Sequence, residues 1–148
     1  MSLDVTFTDN SGEFLQALEE NTDKTLEMLG LQASGYAALE LENDPRRIDT
    51  GLLRNSITYA IAGKKPAKTE YTADKGDGKG KYQGIMPKMA GERTVYIGTN
   101  VKYAPYVHEG HYTTTGKKIT ANRFLKNAVE KHKEEYKRML EMGLKGEL

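Results

Sequence analysis

Apolar and small residues recur at Leu15, Leu18, Thr22, Leu26, Leu29, Ala33, Ala37 and Leu41, in steps of three and four. That period keeps them on one stripe of an α-helix and predicts a long helix over about residues 12–43. Asn10 or Ser11 can cap its first-turn amides, and Pro45 with the aspartate before it stops it. Gly30 and Gly35 interrupt the helix, each at a cost of up to about 1 kcal/mol relative to alanine. Close packing or a bend is therefore expected near Gly30. Ahead of the helix, residues 3–8 (LDVTFT) alternate weakly and read as an edge strand or an ordered arm.

The period then changes to two. Ile57, Tyr59 and Ile61 alternate with Thr58 and Ala60, so residues 53–62 read as a strand fed by a turn at Thr50-Gly51. Over residues 63–91 the pattern is lost in a glycine-rich stretch with seven lysines against three acids, a net of +4. That is too long for an ordinary hairpin loop and is expected to be functional, mobile or both. Residues 93–99 form the next strand, with Val95 and Ile97 on one face and Tyr96 on the other. Gly98 to Asn100 then suggest a turn or bulge. Pro105 restricts residues 103–107 to an edge piece or a helical turn. After a turn around Gly116, a final helix is expected from about Thr120–Asn122. Its stripe is Leu125, Ala128, Val129, His132, Tyr136, Met139 and Leu140, and Gly143 ends it. The expected fold is α+β: a small antiparallel sheet packed against a long N-terminal helix and a C-terminal helix, with a flexible basic insert between strands.

Composition narrows this little. A chain of 148 residues suits one domain, which would bury roughly 68–70% of the surface its unfolded form exposes. A mean hydropathy of −0.69 lies on the polar side, and no apolar run reaches the ~18 residues that span a bilayer. The start MSLDVTFTDN lacks the basic and apolar regions of a signal peptide, so a soluble protein made in the cytoplasm is expected. Cysteine is absent, which excludes disulfides and thiolate chemistry.

Charge says more. Residues 1–44 hold ten acids and one base, a net of −9, and residues 45–148 carry the balancing +10. This suits an acidic face meeting the basic face of a neighbour, as head-to-tail rings require, or two solvated faces of one monomer.

Candidate chemistry is sparse. His108, Glu109 and His111 would hold zinc only if they converged and a fourth ligand completed the site; otherwise they are polar turn residues. His132 lies on the apolar stripe of the final helix and reads as a packed or interface histidine. Asp49-Thr50-Gly51 has no activating base at a motif spacing. It reads as a turn in which Asp49 or Thr50 satisfies backbone amides and Gly51 takes an unusual φ. Gly76, Gly78 and Gly80 fit neither a phosphate loop nor a dinucleotide fingerprint. Tyr71 and Tyr82 among the insert's lysines are the residue types that stack on bases and contact phosphates, although a solvated loop has the same composition. No catalytic, cofactor-binding or metal-ligating residue is assigned.

Three segments together resemble the HK97 gp10-like family of tailed-phage proteins. Residues 48–57, IDTGLLRNSI, are similar to its (V/I)DTGxLRxSI turn. Residues 95–110, VYIGTNVKYAPYVHEG, resemble its VxVGTxxxYAxxVExG segment, and residues 121–128, ANRFLKNA, its ARPFLxPA helix entry. His108 stands where the family has glutamate, and Arg123 where it has proline. The resemblance implies one domain over residues 1–148, with a mobile insert at about 63–91. It implies a structural virion protein that joins head to tail or completes the tail end, not an enzyme and with no cofactor.

The expected partners are other neck and tail proteins: a head connector, a tail terminator or the tail tube. A homo-oligomeric ring is expected in the virion and a monomer in isolation, with nonspecific contact to packaged DNA and none to membrane. The implied location is the virion neck or tail, and host cytoplasm during assembly. Asp49, Thr50, Gly51, Arg54, Gly98, Tyr103, Pro105, Tyr106 and Gly110 are expected in turns and in core or subunit packing. Lys64, Lys65, Lys68, Lys75, Lys79, Lys81 and Lys88 are expected to face the lumen or a neighbouring ring. The other readings are a small nonspecific DNA-binding module and a tail-terminator protein of related fold.

Overall fold

A single helix, α1 (Ser11–Glu42), is the spine of the computed structural model, which describes residues 11–44, 51–84 and 93–148. At about 1.5 Å per residue it is about 48 Å long. Its stripe is buried from Thr25 onward, through Leu26, Leu29, Ala33, Ala37 and Leu41. Leu15 stands in solvent instead, so the expected core stripe begins a turn or more later than its period suggests. Gly30 is the close-packing site anticipated for it: a Cβ there would overlap the Tyr59 ring and Val95. Gly35 has open space around it.

The fold is α+β. After α1 come α2 (Leu52–Ser56), β1 (Thr58–Ile61), β2 (Glu70–Thr72), β3 (Lys79–Lys81) and β4 (Val95–Gly98). Then follow α3 (Ala104–Glu109), β5 (His111–Tyr112), β6 (Lys118–Ile119), α4 (Phe124–Glu130) and α5 (Lys133–Leu144). Among the described residues the strands pair as three antiparallel two-stranded ladders, β1–β4, β2–β3 and β5–β6. In the central one Thr58 faces Gly98 and Ile61 faces Val95. Residues 66–68 line the other edge of β1, where the Ala67 amide donates to the Tyr59 carbonyl at 2.9 Å.

Several local expectations need correction. The strand expected over residues 53–62 starts only at Thr58, because Leu52–Ser56 coil into a helical turn. The Ser56 hydroxyl donates back to the Leu53 carbonyl at 2.6 Å, and Leu53 and Ile57 both reach the core. Gly98 is not in a turn but pairs with Thr58 inside β4. Residues 103–107 take the helical alternative, with Pro105 in the first turn of α3, where its missing N–H costs nothing. The aperiodic insert contains the β2–β3 hairpin.

The expected single C-terminal helix is two, because the chain turns at Lys131–His132 before α5. Gly143 does not end that helix; it lies inside α5, against Thr25, where a Cβ would overlap the threonine side chain. The left-handed glycine comes later, at Gly146 (φ 74°).

Two apolar clusters sit along α1. Leu26, Leu29 and Ile61 form one, with Val95, Tyr136 and Met139 packed against it. Ala37, Leu41, Leu53, Ile57, Tyr71, Val101, Ala104, Phe124 and Ala128 form the other.

Candidate functional site

The three segments that carry the family resemblance meet in that second cluster. Leu53 and Ile57 come from the first, Val101 and Ala104 from the second, Phe124 and Ala128 from the third. Phe124 is fully buried, and the Asn122 amide before it donates to the Val107 carbonyl at 2.9 Å. The carboxylate of Glu40, on α1, accepts from Asn127 at 3.2 Å and from Lys131 at 2.9 Å, fixing α4 across the spine.

In the first segment Gly51 is left-handed (φ 81°) and caps α2, with the Asn55 amide donating to its carbonyl at 2.9 Å. Arg54 reaches both ways: its guanidinium pairs with the Asp74 carboxylate and lies 3.6 Å from Glu42. Asn55 donates to the Thr72 carbonyl and to Asp74, each at 2.9 Å. Asp74 is therefore held below the ordinary carboxylate range, first by the Asn55 amide and then by the Arg54 charge. Asp49 and Thr50 lie outside the described residues.

The hairpin is clamped to both segments. Tyr71 is buried against Gly80 directly across the ladder, and its hydroxyl donates to Asn100 Oδ1 at 2.5 Å. The Asn100 side-chain amide donates to the Lys81 carbonyl at 2.8 Å. Tyr82 donates to the Ser56 carbonyl and accepts from the Asn100 backbone N–H at 3.2 Å. Burial raises both phenols above their ordinary value. These tyrosines are thus inward-facing anchors whose hydroxyls are engaged by this chain's own Asn100 and Ser56.

The lysines behave differently. Lys64 and Lys65 follow β1, and Lys75, Lys79 and Lys81 ride the hairpin, all exposed. Alternation in β3 turns Lys79 and Lys81 to the face opposite Gly80, and Lys81 lies 3.8 Å from Glu70. Lys68 does not belong with them. Its ammonium donates to the Asn55 carbonyl at 2.5 Å, and burial lowers its pKa, so its charge serves this chain's own turn. Lys88 lies outside the described residues.

In the second segment Ala104 is buried, while Tyr103, Pro105 and Tyr106 are exposed, so these three are not core residues. Gly110 (φ 78°) is backed by the Ile119 carbonyl and the Ala121 amide, leaving no room for a Cβ. His108 meets Phe124 edge-on at 5.3 Å. The Lys126 amide approaches His108 Nε2 at 3.4 Å, and Nδ1 faces Glu109 at 2.7 Å. That contact, followed by Arg123, lowers the Glu109 carboxyl. His111 turns instead to Tyr106. Among the described residues no group of three His, Asp or Glu side chains converges as a metal site would. His132 stacks on Tyr36 with ring centroids 3.5 Å apart and planes 2° from parallel, beside Glu135.

Beyond these sites an open apolar groove of about 580 Å³ runs between α1, β4 and the α4–α5 pair. Leu29, Ala33, Ile97, Leu125, Val129 and Tyr136 line it, and Lys126 stands in its wall. No pattern along the chain points to it, because Leu125, Val129 and Tyr136 read equally well as ordinary core. No helix among the described residues is long and apolar enough to cross a membrane. No family model, curated protein or solved structure matches this chain.

Proposed function

We propose that this chain is a structural virion protein of a tailed phage or prophage, joining head to tail or completing the tail end as a subunit of a ring. The observation that carries the reading is that all three segments resembling the HK97 gp10-like family close one core. Their shared residues shape a subunit instead of framing a reaction centre. What is left for function is surface: exposed lysines on the hairpin and after β1, exposed Tyr103 and Tyr106 beside α3, and the apolar groove. The other neck and tail proteins are the natural partners of such surfaces, and packaged DNA is the natural polyanion in a lumen lined by Lys64, Lys65, Lys75, Lys79 and Lys81. Assembly would begin in the host cytoplasm and finish in the virion.

The exposed lysines also favour a second reading, a small nonspecific DNA-binding module. That module would bind duplex DNA as an isolated chain, with affinity falling steeply as salt rises. A joining protein acts only in assembly. In lysates whose phage lacks this gene, electron microscopy should find filled heads and unattached tails lying separately. Infectious tailed particles from such lysates would overturn the proposal.

A further inference from the structure

The spine helix outruns the domain it supports. α5 closes against Thr25 through Gly143, and the C-terminal carbonyl of Leu148 accepts from Lys24 at 3.1 Å. From Ser11 to Glu20 every residue of α1 is exposed except the half-buried Leu18. These ten residues protrude by about 15 Å. They still carry the apolar period of the core stripe. Leu15 and Leu18 continue the line of Leu26, Leu29 and Ala33, and Phe14 and Leu15 are 66% and 61% exposed. Glu13, Glu19, Glu20 and Asp23 flank them, with no base between Ser11 and Asp23. An amphipathic acidic helix end with large apolar side chains in water lacks the surface its pattern is made for.

The same molecule holds the complement. The groove between α1, β4 and α4–α5 is apolar, with Lys126 in its wall. The chain beside it, residues 123–138, carries six bases against three acids, and with Arg123 and Lys131 facing Glu109 and Glu40 it leaves Lys126, Lys133, Lys137 and Arg138 on that side. Leu15 cannot reach the groove of its own chain. Leu15 and Leu29 lie on one helix, fourteen residues and about 21 Å apart. Pairing two protruding ends side by side would bring like charges together.

We propose that the protruding end of α1 in one copy, led by Phe14 and Leu15, seats in the apolar groove of the next copy. The contact is heterologous, donor end to acceptor groove, so it propagates and closes as a ring when the rotation permits. It deepens the ring-assembly reading above and rests on it for its biological setting. The occupant is a second copy of this chain, recognised by its apolar side chains and by its acids facing Lys126 and the basic residues nearby.

The absence of cysteine makes the test clean, since the introduced thiols are the only ones that can join one copy of this chain to another directly. Leu15→Cys and Val129→Cys lie at exposed positions, so each variant should fold, which circular dichroism and maleimide labelling check. Mixed single variants should give a disulfide cross-link between positions 15 and 129 on oxidation, and the double variant a ladder longer than dimers. Purified protein at high concentration and particle-assembling lysates are both sampled. Adding Lys126→Glu should cut the yield several-fold, and salt should lower it.

Absence of the cross-link from both settings, with reactive thiols, would overturn the proposal. So would a dominant product joining position 15 of one copy to position 15 of another, which would mean a symmetric pairing of helix ends. The two readings fail separately. Separated heads and tails without cross-linking would remove this contact and leave the virion role. Cross-linking alongside normal particles from gene-deleted lysates would do the reverse.

Discussion

Gly143 of α5 lies against the side chain of Thr25 in α1 so closely that a Cβ would overlap it. This contact pins the C-terminal helix to the spine and sets the point beyond which α1 protrudes. Gly143→Ala should therefore destabilise the protein by about 1–3 kcal/mol through overpacking, despite alanine's better helix propensity. Gly35→Ala, in the middle of α1 with open space around it, should stabilise by about 0.5–1 kcal/mol. Urea unfolding of the two variants against the parent reads both signs.

Across the hairpin, Gly80 leaves room for the Tyr71 ring. Gly80→Ala should push Tyr71 from the core and cost about 1–3 kcal/mol. Replacing Lys75, Lys79 and Lys81 with serine should each change stability by less than about 0.5 kcal/mol, since these side chains are exposed. Deleting the insert outright would remove a core tyrosine with the lysines, so thermal melts of the serine variants, followed by joining assays, isolate the role of charge.

Stability should fall at both ends of the pH scale. The Asp74 carboxyl is held below its ordinary 3.8 by Asn55 and then Arg54. Its contribution is present above the unfolded pKa and is lost as pH falls through the folded value. At the alkaline end, burial, aided for Tyr59 by its bond to Glu27, raises Tyr59 to about 12, and burial raises Tyr136 to about 12. These contributions are complete below pH ~10, the unfolded phenol value, and are lost as pH rises toward the folded one. Melting temperatures across pH should show the difference between parent and Asp74→Asn vanish in acid. Tyr59→Phe should flatten the alkaline decline.

Phe124 anchors the entry to the C-terminal helices and is fully buried among residues from all three segments that carry the family resemblance. Phe124→Ala should cost about 3–5 kcal/mol, and the smaller change Phe124→Leu distinctly less. Denaturant midpoints at constant m-value measure this. A cost under about 1 kcal/mol for Phe124→Ala would mean that the segment does not close the core.

The long elements were legible because burial writes a period into them. The steps of Leu26, Leu29, Ala33, Ala37 and Leu41 fix α1, whereas β1 keeps only Thr58 to Ile61 of its expected span, with Thr58, Ala60 and Ile61 buried and Tyr59 half-buried. Short elements held by side-chain bonds leave no period. α2 depends on Ser56 turning back to Leu53, and the β2–β3 pairing on one tyrosine seated over one glycine. The break before α5 was hidden for the opposite reason. Leu125, Ala128, Val129, His132 and Tyr136 keep helical spacing straight through it, while His132 stacks on Tyr36 at the turn.

Gly143 misled because a glycine near a helix end reads as a terminator, and here it serves close helix approach. Of the candidate surface, the lysines were visible as composition. The groove was not, because its lining residues come from five separate elements.

The most direct measurement is a reconstruction by cryo-electron microscopy of the tailed particles whose assembly the proposed role assigns to this chain. A ring of copies at the junction of head and tail, each fitting the α1 spine and the three-segment core, is the expected result. Intact junctions with no density for this chain would contradict the proposed role.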